Sequence, residues 1–233
     1  MTHFLAERSM TGANIANELG LLAIGAGIGV ILNLYIPGKV HLIRTSQRRI
    51  ESHMKEILRK MAGQLTTGKG GDAGLADGEP PLSSLLKELD AELKQGEKSA
   101  YEDMENKLLT ETRYYLRYMN MRRTQAFVLG RIEGELKHLG ELPSQAQPIA
   151  ELMERISGGF HEYNNAVGLL EALDAVKEAM REQPLPELRE EFENRAVLFQ
   201  ILLELEQFLE IKKEFVEELS AEEIGKFWRE TTC

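Results

Sequence analysis

The chain has 233 residues, 38 acidic against 28 basic, for a net charge of −10; it is long enough to bury a sizeable core, and its acidic balance argues against a nucleic-acid partner. Leu, Glu, Ala and Lys are plentiful and aromatic residues make up 6%, which favours helices over strands. Cys233 is the lone cysteine, so no intramolecular disulfide can form, as suits a reducing compartment; His3, His41, His53, His138 and His161 include no pair three or four residues apart that could hold a metal on one helix face.

The first predicted element is apolar. Leu19 to Ile36, LGLLAIGAGIGVILNLYI, carries no charge and one amide, Asn33. As a helix it would be roughly 27 Å long, near the ~30 Å hydrocarbon thickness of a bilayer. The expectation is a transmembrane helix over 19–36, with Tyr35 at headgroup depth and Pro37 closing it. A buried core helix of this length would ordinarily carry some charge. A cleaved signal peptide would need a basic cluster ahead of it and a small-x-small site behind it. Gly25 and Gly29 form a GxxxG pair that lets another helix approach, and Asn33 would prefer a partner at depth. A homo-oligomer or a multi-span membrane partner is therefore expected.

A basic collar follows. Residues 39–60 carry seven basic side chains against Glu51 and Glu56, so the positive-inside rule places everything beyond residue 38 in the cytoplasm of a single-pass cell-membrane protein. Lys39, Arg44, Arg48 and Arg49 are the candidates for contact with membrane-lipid headgroups. The organisation read from the sequence is an N-terminal segment over 1–38, a basic juxtamembrane helix over 39–65, a Gly/Pro-rich linker over 66–81 (TTGKGGDAGLADGEPP) and a helical bundle over 82–233. The juxtamembrane helix offers Ile43, Ile50, Met54, Ile57, Leu58, Met61 and Leu65 at helical spacing.

Within the bundle, Leu82 to Leu93 reads as a short amphipathic helix. Glu97 to about Leu139 reads as one long helix with an apolar face through Tyr101, Met104, Leu108, Tyr115, Met119, Ala126, Leu129, Ile132 and Leu136. Pro143 and Pro148 introduce a helix near Ile149, and Gly158–Gly159 ends it. Tyr163 to Met180 carries Val167, Leu170, Leu173, Val176 and Met180. Pro186 opens a last long helix, to about Leu219, through Phe192, Ala196, Phe199, Leu203 and Leu209, with Glu187, Glu190 and Glu191 at its positive end. A final short helix holds Ile224, Phe227 and Trp228. The fold expected is all-α: a single transmembrane helix followed by an elongated antiparallel helical bundle.

Catalytic and cofactor signals are weak. Gly63 to Lys69 matches the opening of a phosphate-binding loop, but Gly70 stands where the magnesium-ligating Ser or Thr belongs, and the segment follows a helix rather than a strand. No catalytic constellation, metal site or cofactor is read. The Arg122–Arg123 pair and the Glu190, Glu191, Glu193 cluster read as helix-face charges, with Glu191 and Arg195 in the favourable four-residue order.

Two stretches carry a family likeness. YYLRYMNMRRTQAFVL, Tyr114 to Leu129, is similar to the YxxYxxMRxxQ segment of the aromatic acid exporter family, matching at Tyr115, Tyr118, Met121, Arg122 and Gln125. PLPELREEFENRAVLFQILLELEQFLEIKKEF, Pro184 to Phe215, resembles that family's PLPxxREEFENRAxLxQxLxELExFLxxK pattern. NLYIP, Asn33 to Pro37, looks like the end of the last membrane helix before the family's C-terminal domain. Family members begin with several more membrane helices, which are not in this sequence. The resemblance implies a transport component whose cytoplasmic bundle regulates, gates or oligomerises an exporter. It also implies aromatic carboxylates as ligand class, and polar contacts from Tyr115, Tyr118, Arg122, Gln125, Arg189, Glu191 and Arg195 that fix the helices in register. The alternative is a single-span membrane-anchored scaffold that binds other proteins without transport.

Overall fold

The computed structural model describes residues 12–35, 40–67, 80–106, 111–140 and 142–228, without the side chains of 12–14, 30–35, 40, 67, 103–106 and 111–112. Eight helices and no strand occur among them: α1 Gly12–Tyr35, α2 Val40–Thr67, α3 Leu82–Asn106, α4 Glu111–Leu136, α5 Ala146–Gly158, α6 Val167–Arg181, α7 Arg189–Glu217 and α8 Ala221–Phe227. The chain divides into two compact units, residues 1–39 and 40–233.

The first unit contains α1. Its apolar side chains point outward all round the helix: Leu19, Leu21, Leu22, Ile24 and Ile28 are exposed. Among the described residues no helix is long and apolar enough to cross a membrane. The described side chains of the apolar run end at Gly29, and Asn33, Tyr35 and Ile36 lie outside them.

The second unit is one bundle with one core. α2 buries the whole expected stripe from Ile43 to Leu65, because three- and four-residue steps stack side chains on one helix face. It packs against α3 and α5, while α3 also packs on α4, α4 on α7, and α6 on α7 and α5. Cross-contacts set the directions. Arg49 reaches Glu92 and Lys60 reaches Pro80; Met119 lies against Gly96 and Arg123 reaches Asp90; Arg117 reaches Glu218 and Gly140 reaches Asn194. In each pair the numbers rise along one helix and fall along the other, so α2–α3, α3–α4 and α4–α7 are antiparallel.

The structure moves three of the expected elements. The break expected between Leu93 and Glu97 is absent, and α3 runs through it to Asn106. Gly96 is helical and packed rather than a breaker: a Cβ there would lie 3.0 Å from Met119 Sδ and 3.5 Å from Ile50 Cδ1. It is the close-approach point of α2, α3 and α4. Tyr101, assigned to the apolar face of the long helix, is exposed on α3 instead. In α6 the buried seam is Leu169, Leu173 and Lys177, and Val167 faces solvent. α7 is rotated relative to its expected face: Asn194, Leu198, Ile201, Leu205, Phe208 and Lys212 are buried with Leu209, while Phe192, Ala196, Phe199 and Leu203 are exposed. α7 carries two apolar rows, and the one that faces α4 is the row interrupted by Asn194, Glu204 and Lys212. Pro186 precedes α7, whose first turn holds Glu190 and Glu191, and Pro148 falls in the first turn of α5, where its missing N–H costs nothing. α8 starts in a capping box, with Ser220 Oγ accepting from Glu223 N and the Glu223 carboxylate accepting from Ser220 N.

Candidate functional site

Tyr114, Tyr118, Arg122 and Gln125 follow one another by three or four residues on α4 and so form one row facing the bundle interior. All four are buried. Arg122 is among the largest fully buried side chains of the described residues, and its guanidinium is shared three ways. Nε donates to Tyr118 Oη at 2.8 Å, Nη1 to Gln125 Oε1 at 2.8 Å and Nη2 to Glu51 Oε1 on α2 at 2.9 Å. Tyr118 Oη donates in turn to the same Glu51 oxygen at 2.5 Å, closing a ring of hydrogen bonds. Gln125 Nε2 donates to the Phe208 carbonyl of α7 at 2.7 Å. The guanidinium lies over the Phe160 ring at 4.2 Å and the Tyr118 ring at 4.9 Å, so its faces are covered as well as its edges.

A second cation enters from α7. Lys212 extends the row Leu205, Phe208, Leu209 and is buried with them. Its Nζ donates to the Glu162 carbonyl at 2.7 Å and lies within 5.2 Å of the Phe215 and Trp228 rings. Glu162 sits in the connection between α5 and α6. Its carboxylate accepts from Tyr114 Oη at 2.6 Å and faces Arg44 Nη1 at 3.6 Å. Tyr114 stacks flat on Phe227 of α8, centroids 4.1 Å apart, and Tyr115 meets the same ring edge-on. One polar centre therefore joins α2, α4, the α5–α6 connection, α7 and α8.

The electrostatics follow from burial. Desolvation pulls the Lys212 pKa down to about 7, helped by the neighbouring Arg122 charge and opposed by Glu51 and Glu162. Desolvation and the Glu162 carboxylate raise the Tyr114 phenol. Desolvation also raises Tyr118, with Glu51 adding to it and Arg122 opposing. Burial works against the charge on Arg122, but Tyr118 and Glu51 hold its pKa above the ordinary guanidinium value. The arginine is thus a permanent cation in the core, kept by its partners.

The α5–α6 connection is built to deliver Glu162. Asn164 Nδ2 donates to the Gly159 carbonyl at 2.6 Å, and Asn164 Oδ1 accepts from Ala166 N at 2.7 Å. Ala166 caps α6 with φ 64°, a left-handed conformation that a Cβ disfavours. A cavity of about 20 Å³ lies between this connection, Arg122, Gln125, Phe208 and Lys212. That is room for about one water and too little for an aromatic ring.

The residues singled out from sequence separate into groups. Tyr118, Arg122 and Gln125 meet in the centre, and Tyr115 flanks it beneath Arg44, whose guanidinium lies 5.6 Å over the tyrosine ring. Arg44, named for lipid, is half-buried between Tyr115 and Glu162; Arg49 approaches Glu92 at 3.6 Å, and Arg48 is exposed. Lys39 and the side chain of Asn33 lie outside the described residues, and no neighbour stands within 4 Å of a Cβ built at Gly25 or Gly29. The Arg122–Arg123 pair splits: Arg123 turns to α3, where Nη2 donates to Glu97 Oε2 at 2.6 Å.

Arg189, Glu191 and Arg195 form a different cluster at the start of α7. Arg189 Nε donates to Glu193 at 2.7 Å on the surface. Arg195 donates to Glu191 Oε1 at 2.5 Å and to the Pro184 carbonyl at 2.6 Å. With its amide oxygen turned toward Arg195, the buried Gln145 accepts from Nη2 at 3.0 Å and Nε at 3.1 Å. This cluster staples the segment before α5 to the segment before α7. Sequence reasoning missed Glu51, Glu162, Lys212 and Tyr114. Lys212 had a signal, being a lysine on a continuous apolar row; Glu162, in a connection, had none.

Comparison with known proteins places this architecture. A family model described as "Putative aromatic acid exporter C-terminal domain" matches residues 41–213, a range that includes Glu51, Arg122, Glu162 and Lys212. "Uncharacterized protein YqjA" of Bacillus subtilis (strain 168) is 29% identical over 213 residues, which is 91% of this chain and 63% of that protein. The chain thus spans 63% of the length of this curated relative. A crystal structure of a "putative membrane protein" from Clostridium difficile 630 is similar at 28% identity with a TM-score of 0.65, covering 76% of this chain and 99% of that one.

Proposed function

Because the chain belongs to the aromatic acid exporter C-terminal domain family, we propose that it is a component of a membrane exporter, anchored by its apolar N-terminal run and carrying a gating or regulatory bundle in the cytoplasm. The family match over 41–213 carries this reading. Three observations support it. The run from Leu19 to Ile36 is uncharged, and the described part of α1 leaves its leucines and isoleucines exposed, as suits a helix solvated by lipid. The basic collar from Lys39 to Lys60 follows that run, which under the positive-inside rule supports a bundle on the inner side. Finally, α2, which begins at Val40, is keyed by Glu51 to Arg122 and Tyr118. A displacement of α2 is thereby coupled to α4 and, through Gln125 and Lys212, to α7. The cavity beside Arg122, about 20 Å³, is too small for an aromatic ring, which supports a joining role for the buried centre rather than a substrate pocket there.

Deleting the gene should slow efflux of benzoate preloaded into cells and lower tolerance to it, and re-expression should restore both. Unchanged efflux and tolerance would sink the transport reading and leave a membrane-anchored scaffold. The chain should also remain in the membrane pellet through an alkaline wash, and a mild-detergent pull-down should recover a multi-span protein. Release by the wash would remove the anchor.

A further inference from the structure

α7 has a second apolar row that the described residues leave partly exposed. Leu185 and Leu188, just ahead of the helix, are 89% and 69% exposed; Phe192, Phe199 and Leu203 on it are 61%, 38% and 37% exposed. Ala196 is exposed between the two phenylalanines. From Leu188 onward the steps are four, four, three and four residues, which keeps these side chains on one helix face. The row lies on the side of α7 away from Leu198, Ile201, Leu205 and Phe208, which fill the core.

We propose that this row packs against the same row of a second copy, the two α7 helices running antiparallel about a two-fold axis beside Ala196. Self-complementarity argues for a copy of this chain over an unrelated partner. Reversing the row places Leu188 opposite Leu203 and Phe192 opposite Phe199, in both directions at once, as an isologous contact requires. The smallest residue of the row, Ala196, falls at the midpoint, where the helices come closest. The five large side chains expose roughly 550 Å² per copy, at the upper end for a monomer surface, so that their complete burial in two copies reaches the ~1,000 Å² of a specific interface. The proposal does not rest on the transport reading.

The test uses the full chain in mild detergent with Cys233→Ser as background. Ala196→Cys should cross-link two copies under mild oxidation, and the double variant Leu188→Cys, Leu203→Cys should do the same, while Glu171→Cys on the exposed side of α6 should not. Phe192→Glu with Phe199→Glu, both at exposed positions, should keep the helix content and weaken self-association by about 100-fold or more. Cross-linking at Ala196 no faster than at Glu171 would overturn the proposal. So would a dimer that survives the two glutamates, or an Ala196→Cys adduct to a different protein.

Discussion

Two arginine clusters lie on the two halves of the family pattern, one at Arg122 and one at Arg189–Arg195, and the bundle treats them in opposite ways. Arg122 is 1% exposed, with its edge donors shared among Tyr118, Gln125 and Glu51 and its faces covered by aromatic rings. Arg189 has a 90%-exposed side chain and one partner four residues along its own helix. A sequence motif records that a residue type recurs; burial decides what removing it costs. A charge in the core that loses its partner pays desolvation in full, whereas a surface pair is exchanged for water.

The sharpest way to break this comparison is Arg122→Met. It strands Glu51 beside a buried tyrosine and should cost about 3–5 kcal/mol, read as a lower denaturation midpoint by circular dichroism. Adding Glu51→Leu should return part of that loss, because an apolar pair of similar volume is tolerated where a lone charge is not. Equal midpoints for Arg122→Met and Arg189→Ala would refute the distinction, since Arg189→Ala is expected to leave the midpoint unchanged.

Lys212 sharpens the comparison along the pH axis. Its folded pKa is about 7 against an ordinary lysine value near 10.4 when unfolded. Between those values the unfolded chain binds the extra proton, so this group makes the bundle more stable as pH rises from about 7 toward 10, by at most about 1.4 kcal/mol per pH unit. Below pH 7 both states are protonated and the penalty is constant. Lys212→Met should flatten the stability profile of the parent chain over that window. Parallel profiles for the two proteins would mean that Lys212 is not the buried amine described above. The α7 staple should fall between the extremes: Arg195→Met removes bonds to Glu191, Pro184 and Gln145 from a half-buried position and should cost about 1–2 kcal/mol.

Much of the fold was legible because periodicity is a strong signal where one helix face is apolar and the other charged. All of the α2 stripe from Ile43 to Leu65 was readable in that way. α7 was not, because it has two apolar rows and only tertiary packing chooses which one faces α4. The break expected between Leu93 and Glu97 failed for a related reason: α3 continues through Gly96, whose contact with Met119 and Ile50 only the tertiary fold supplies. At the centre, Tyr118, Arg122 and Gln125 could be named from the motif. Their partner Glu51 lies 71 positions from Arg122 on α2, and Glu162, the partner of Tyr114, lies 48 positions from it in a connection, so local pattern carries no trace of either pairing. Only the fold brings them within hydrogen-bond reach.

The smallest effect tests the connection that supplies Glu162 to the buried cluster. Ala166 holds a left-handed φ of 64°, which costs an L-residue roughly 1–2 kcal/mol and glycine almost nothing. Glycine, however, loses more freedom on folding, which offsets part of that gain. Ala166→Gly should therefore stabilise the bundle by about 0.5–1 kcal/mol. The gain should persist in Arg189→Ala, because that side chain does not touch the connection and independent sites add. In Arg122→Met it should change, since Phe160, at the start of the same connection, loses the guanidinium stacked on its ring. A double-mutant cycle between Ala166→Gly and Arg122→Met that closes at zero would show that the connection and the arginine are energetically separate, and the centre would then be two sites rather than one.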